Sequence, residues 1–170
     1  MKTFIYRITL LLTVAVAFAA CNDKNNNPEP ELTNCTGCKF LFIENADFVI
    51  PGTFINGNYR LFFSETKKSV VTQHLYIKAP MQNTTFTLTK ADILAGKLTV
   101  LDNCPSCNMV AMLPVDGKVK GVNTTPGARA DKAKWLIEAK IIPEPAGVNN
   151  ENFRDTFYVK QYFTANSVLN

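Results

Sequence analysis

Short runs of alternating apolar and polar residues, separated by turn residues, fill the chain from residue 39 onward. The clearest run is KWLIEAKII, 134–142, in which Trp135, Ile137, Ala139 and Ile141 share one face and the lysines lie opposite. Side chains of a strand point to alternate faces, so this pattern predicts a strand with one buried side. The same reasoning predicts strands at 39–44, 58–63, 69–80, 84–89, 97–101, 117–123, 134–142 and 155–163.

Helical signals are confined to two short places. Thr89 can cap a helix, Asp92 can bond back to it three residues later, and Gly96 can end the turn. The segment ARADKAK can form a further single turn. Runs 117–123 and 134–142 are expected to pair across a loop that carries Pro126-Gly127. With no alternation of strands and helices, the chain is predicted to be all-β, an antiparallel β-sandwich or small barrel with one short helix.

The first twenty residues have a different character. Lys2 and Arg7 precede an apolar run, Ile8 to Ala20, that ends in small residues. This order is typical of a secretory signal peptide, and the run is short for a membrane span. The segment from Asn22 to Thr33 is polar and contains two prolines, so it is predicted to be a tether that cannot bury enough surface to order itself.

The ending Ala19-Ala20-Cys21, followed by an Asn-rich tether, resembles the N-terminus of envelope lipoproteins of Bacteroidota. Phe18 departs from the Leu-type residue usual at that position. The resemblance covers about thirty residues. It implies a location in the bacterial cell envelope, at the outer membrane, with a lipid on the Cys21 thiol that holds the protein to the bilayer. The expected organisation is a signal peptide at 1–20, a lipidated N-terminus and tether at 21–34, and one β domain at 35–170.

The net charge of the chain argues against nucleic acid as a partner. Removal of residues 1–20 takes Lys2 and Arg7 from the 18 basic residues and leaves 16 against 14 acidic ones, a net charge of +2. The balance is close to neutral, and no dense basic stripe favours nucleic acid.

Four cysteines remain in two C-x-x-C pairs, Cys35/Cys38 and Cys104/Cys107. An even number in an exported chain favours disulfides, and a bridge between the pairs would close a loop of about 70 residues. The alternative is one structural zinc held by all four thiolates, since Cys-Pro-Ser-Cys resembles a zinc-ribbon knuckle. A thioredoxin-like redox pair is a third hypothesis, although the helix that lowers a thiol pKa is missing after Cys107. All three hypotheses predict that residues 35–38 and 104–107 lie close together.

The outward faces of the last strands offer a candidate binding face of cationic and aromatic side chains. Such a face can stack on sugar rings or meet an envelope protein. The simpler interpretation is an ordinary solvated sheet face with lysines that prevent edge pairing. The candidate residues are Lys118, Lys120, Lys134, Lys140, Tyr158, Lys160 and Tyr162.

No catalytic set emerges from the sequence. His74 is the only histidine, and the carboxylates are scattered singly. The expected function is therefore non-catalytic, either binding or structural support, without a cofactor. The alternatives are a zinc-stabilised binding module and an envelope enzyme of the thiol–disulfide or hydrolytic type.

Overall fold

The computed structural model describes residues 31–50, 52–147 and 156–166. The predicted signal peptide, Cys21 and most of the predicted tether lie outside the described residues. The elements within this part are β1 (Lys39–Ile50), β2 (Thr53–Asn56), β3 (Tyr59–Lys68), β4 (Val71–Pro80), β5 (Thr85–Leu88), α1 (Lys90–Asp92), β6 (Leu98–Asn103), β7 (Met112–Asn123), a 3-10 turn (Ala130–Lys132), β8 (Lys134–Pro145) and β9 (Phe157–Ala165).

The strands form one sheet in the order β5-β7-β8-β9-β1-β3-β4-β6, and β2 pairs with β1. The sheet curls into a half-barrel, which confirms the all-β prediction with one short helix. The predicted pairing of 117–123 with 134–142 is also confirmed, because Val119 lies opposite Ala139. One contact departs from the antiparallel expectation: β1 and β9 are parallel where Leu41 faces Thr164.

The concave side of the sheet holds the main core, and Phe62 of β3 lies at its centre. Its ring centroid is 5.5–5.6 Å from those of Phe42, Phe86, Trp135 and Phe163, which come from β1, β5, β8 and β9. Edge-to-face and offset ring pairs at this spacing add to the free energy of area burial. The cluster therefore joins both halves of the curled sheet, and Trp135, with 1% of its surface exposed, is a core residue as expected.

A second, smaller core lies on the convex side and was not predicted. β1 is irregular between Ile43 and Ala46, and its outer part pairs with β2 to form a hairpin. The hairpin packs on the outer surface of β3 and β4, where the Phe48 ring lies 4.8 Å from that of Tyr76. It covers one half of the convex side. The segment 45–57 lacks a regular alternation of apolar and polar residues, so no strand was predicted there.

The half-barrel remains open along a seam between β6 and the first part of β7. Among the described strands, β6 pairs with β4 alone, and β5 pairs with β7 only over Val119–Val122. The two facing edges approach each other without a hydrogen-bond ladder. The seam separates β6, which ends one residue before Cys104, from β7, the next strand in the chain.

The short helix begins as its sequence predicts. The Thr89 N–H donates to the Asp92 carboxylate at 2.9 Å, and Lys97 Nζ lies 2.7 Å from the other carboxylate oxygen. After α1 the chain makes a wider turn, Ile93–Lys97, in which Gly96 adopts φ 78°. Glycine adopts this left-handed conformation without steric cost, and the turn ends there.

The Asp92 carboxylate gives this turn a pH-dependent stability. Its hydrogen bond to Lys97, followed by that from the Thr89 N–H, lowers the pKa of Asp92 from 3.8 to about 2. Because the folded pKa lies below the unfolded one, the contribution is full above pH 4 and is lost as the pH falls toward 2. We expect Asp92→Asn to lower the free energy of unfolding by about 1 kcal/mol at pH 7, a value discounted for solvent screening.

Urea unfolding of the wild-type protein and of Asp92→Asn between pH 7 and pH 2.5 measures this difference in the free energy of unfolding. The gap between wild type and Asp92→Asn should narrow continuously below pH 4. A gap that stays constant over this range would show that the Asp92 charge does not stabilise the turn.

Gly121 of β7 lets the Phe86 ring pack flat against the strand. A β-carbon at Gly121 would overlap that ring, and Phe86 cannot move without disturbing its contact with Phe62. We expect Gly121→Ala to destabilise the fold by about 1–3 kcal/mol, the usual cost of overpacking. Thermal unfolding measures the effect, and Phe86→Leu in the same chain should recover part of it. Unchanged stability of Gly121→Ala would contradict this account of the contact.

Candidate functional site

The outward residues of β7, β8 and β9 form ordered rows across three neighbouring strands. Lys118 lies opposite Lys140, and Lys140 lies opposite Tyr158. All three side chains are exposed, with Tyr158 at 40%. The pKa of Tyr158 is raised, first by partial burial and then by the negative charge of Glu138. The rows place the predicted lysines and tyrosines on one side of the sheet.

A second row lies at the other end of the same strands. Val122 faces Leu136, which faces Tyr162, and the Tyr162 side chain is 36% exposed. Lys134 Nζ lies 5.2 Å from the centroid of the Tyr162 ring, within the range of a cation–π contact. This end of the face therefore combines an apolar row with an aromatic ring and a cation.

Lys160 requires a correction to the predicted face. It lies between the two rows and opposite Glu138, but only 4% of its surface is exposed. The segment that precedes β1 is hydrogen-bonded to the backbone of β9 at this residue. Lys160 is therefore buried within the domain and does not belong to the exposed face. We define the cationic–aromatic face as the remaining exposed set: Lys118, Lys120, Lys134, Lys140, Tyr158 and Tyr162.

The convex side of the sheet thus has two unlike halves. The hairpin of β1 and β2 covers β3 and β4, and Lys78 pairs with Asp47 beneath it at 2.6 Å. The other half, over β7 to β9, carries the cationic–aromatic face, which remains exposed. The difference arises because the covered half presents large apolar residues such as Leu61, whereas the exposed half presents lysines.

The cysteines pair within each motif. Cys35 is bridged to Cys38, and Cys104 is bridged to Cys107. The prediction that the two motifs lie together is wrong, because β3 and β4 separate β1 from β6 in the sheet. Three strand spacings amount to about 14 Å along the sheet. The prediction failed because the spacing of the cysteines along the chain does not encode the order of the strands in the sheet.

The zinc alternative needs four thiolates around one point. The two internal bridges and the intervening strands do not provide this arrangement. Within the described part of the chain, no three His, Cys, Asp or Glu side chains converge to hold a metal ion. His74, on the covered half of the sheet, lies with its ring 6.4 Å from that of Tyr76.

The Cys35–Cys38 bridge closes a loop in a segment that is attached to β9 on both sides. Before the loop, the Thr33 N–H donates to the Lys160 carbonyl and the Lys160 N–H donates to the Thr33 hydroxyl, both at 2.8 Å. After the loop, Leu41 faces Thr164. From Thr33 to Leu41 the first segment advances eight residues, whereas β9 advances four residues from Lys160 to Thr164. The four additional residues form the loop that the Cys35–Cys38 disulfide closes.

The Cys104–Cys107 bridge lies in the exposed loop that leaves β6. The Cys107 N–H donates to the Cys104 carbonyl at 3.2 Å, and the Ser106 hydroxyl lies 3.8 Å from the Cys104 sulfur. The chain then lines an apolar groove of about 480 Å³ along the seam, which the sequence did not predict. Large exposed apolar side chains surround this groove: Leu94, Met109, Val110 and Leu113.

A buried ion pair at the inner face of the sheet was also missed. Arg60 donates through Nε and Nη2 to one oxygen of Glu44, at 2.9 and 2.8 Å, and its guanidinium lies 4.3 Å above the Trp135 ring. The residue is 93% buried, as its 7% exposure shows. Alternation along 58–63 places Arg60 on the same side as Phe62, and this signal could have revealed it. The pair therefore lies on the concave side of the sheet, away from the cationic–aromatic face.

Comparisons with known proteins identify no relative. The chain matches no family model, and no curated protein or solved structure is significantly similar to it. In the part of the chain that the structure describes, no helix has the length and hydropathy to span a membrane. The geometry of the chain itself is therefore the basis for a functional proposal.

Loss of the first disulfide, but not of the second, should loosen the attachment of the N-terminal segment to β9. Each closes a loop of four residues, so Cys35→Ser/Cys38→Ser and Cys104→Ser/Cys107→Ser should each cost about 2 kcal/mol in the chain-entropy treatment. Only the first double variant should also speed hydrogen exchange at the amides of Thr33 and Lys160, because only that bridge holds the segment on β9. Urea unfolding and amide exchange measured by NMR test this.

Peptide mapping without reduction provides the independent check. A digest of the wild-type protein should contain one bridge within 35–38 and one within 104–107, and no other. A peptide that links the two motifs would contradict the described pairing, and equal exchange at Thr33 in both variants would contradict the role of the first bridge.

Proposed function

We propose that this protein is a lipid-anchored, non-catalytic binding module of a bacterial envelope, which uses the cationic–aromatic face to contact its partner. The observation that carries the proposal is the contrast between the two halves of the convex side. One half is covered by its own hairpin, whereas the other presents four exposed lysines and two tyrosines in rows. Lysines and aromatic rings on a rigid sheet form a preorganised contact surface.

The attachment of the N-terminal segment supports an anchored role. Thr33 is held on β9 by three hydrogen bonds, the third from Gln161 Nε2 to its carbonyl oxygen at 3.2 Å. A tether that enters a domain at a fixed position limits the orientations that the domain can adopt at a membrane. The lipobox-like Cys21 supplies the proposed attachment point at the other end of this tether.

The rigidity of the face supports binding rather than catalysis. β7, β8 and β9 are paired along most of their length, and the inward residues beneath the face, such as Ile137 and Val159, have 0–1% of their surface exposed. Outward side chains can therefore be replaced with little effect on the core.

This proposal predicts that tyrosine variants lose binding to the envelope partner and that a Cys21 variant loses membrane attachment. Tyr158→Ala/Tyr162→Ala should leave the free energy of unfolding within about 0.5 kcal/mol of wild type, since both side chains are partly exposed. The same variant should be retained less on purified envelope fragments, because the aromatic contacts are lost. Cys21→Ser should remain stable but move from the membrane fraction to the soluble fraction.

Leu94→Ala/Val110→Ala, at the exposed seam groove, is the matched control and should bind envelope fragments as wild type does. Intact mass of the membrane-bound protein should exceed that of residues 21–170 by the attached acyl chains. An unmodified Cys21 in the membrane fraction would overturn the anchor. Wild-type retention of the tyrosine variant would overturn the face.

A further inference from the structure

We infer that the cationic–aromatic face lies against the anionic lipid headgroups of the bilayer that holds the anchor. The inference rests on the proposed function and names the partner of the same face. Its first basis is charge. The face carries four exposed lysines, Lys118, Lys120, Lys134 and Lys140, beside Glu138, which lies between Lys120 of β7 and the buried Lys160 of β9. The exposed outline of the face is therefore positive, although the mature chain is nearly neutral.

The second basis is the chemistry and spacing of the side chains. From Lys134 to Lys140 the face extends about 20 Å along β8, and from β7 to β9 it is about 10 Å wide. Lysine reaches outward with its charge while its alkyl stem lies on an apolar surface, and tyrosine favours the boundary between lipid and water. The row of Val122, Leu136 and Tyr162 supplies that apolar surface beside Lys134.

The third basis is where the chain enters the domain. Thr33 is fixed at the edge of β9 that faces β1, level with Lys160 and beside the centre of the face. Nine residues lie between Cys21 and Glu31, and the ten steps from one to the other span about 35 Å when fully extended. An anchored domain is thus confined close to the lipid surface, with the face next to its point of attachment. Confinement lets individually weak charge contacts act at high effective concentration.

The shape of the face favours a bilayer over an acidic polysaccharide. The face lies on the convex side of the half-barrel, whereas the apolar seam groove lies elsewhere, between β6 and β7. Tyr158 and Tyr162 lie four residues apart on β9, about 13 Å, so they do not form the two sides of a cleft. An extended lipid surface requires no cleft, because it presents charge wherever a lysine reaches it.

The test uses the acylated full mature chain, reconstituted into vesicles of phosphatidylethanolamine with 30% phosphatidylglycerol or of phosphatidylcholine alone. A water-soluble amine-acetylating ester marks accessible lysines, and mass spectrometry gives the modification rate at each one. We expect the four face lysines to react roughly fivefold more slowly on the anionic vesicles, in line with the attraction of each lysine to such a surface. Exposed Lys67 and Lys132 serve as internal controls and should react equally on both vesicles.

Salt and charge reversal sharpen the test. Sodium chloride at 0.5 M should abolish the protection because it screens the headgroup charge. Lys118→Glu/Lys140→Glu should remove the protection of Lys120 and Lys134, whereas the matched pair Lys67→Glu/Lys132→Glu should leave it unchanged. Equal reaction rates on both vesicles would overturn the inference. Protection that appears only with added polygalacturonate would also overturn it and would assign the face to an acidic glycan.

Absence of the lipid anchor can be distinguished from absence of the contact between the face and the headgroups. If Cys21 carries no acyl chain, the protein will not stay with the vesicles on flotation, and the proposed function fails at that step. The unacylated chain is then sedimented with sucrose-loaded vesicles of increasing phosphatidylglycerol content. Binding that rises with this content and falls in Lys118→Glu/Lys140→Glu supports the face, and its absence overturns it.

Discussion

The packing of Phe62 is the constraint on which the rest of the structure depends. A single sheet has two faces and must bury one of them, and here the sheet does so by curling upon itself. Phe62 contacts rings from four other strands at 5.5–5.6 Å, including strands from both halves of the sheet order. Because these contacts close the concave side, the convex side is left to be covered or to meet solvent.

This division of the convex side separates the residues that stabilise the fold from those of the proposed binding face. The hairpin of β1 and β2 covers the half that presents Leu61 and Tyr76, and both side chains are buried. The lysine-rich half needs no cover, since its side chains are solvated and its core lies beneath the strands. A surface that contributes little to stability is free to vary in ways that suit a partner.

Local patterns predicted the parts of the fold that local chemistry determines. Alternation placed Trp135 in the core, and the capping residues Thr89 and Asp92 marked the short helix. The burial of Lys160 could not be predicted, because it depends on a contact with Thr33 from 127 residues away in the chain. The distance between the two cysteine motifs likewise depends on strand order. The face residues were identified in advance only because they alternate along three strands.

The loop enclosed by Cys35 and Cys38 has a mechanical consequence. A pull on the chain at residue 31 is transmitted to Thr33 and along the edge of β9, in the direction of the strand. Hydrogen bonds between strands lie across that direction, so they resist the load together in shear and do not open one after another. The four excess residues would otherwise extend first, and the covalent bridge prevents this. In the proposed anchored form, a load carried by the tether therefore passes through Thr33 to the paired strands without lengthening this loop.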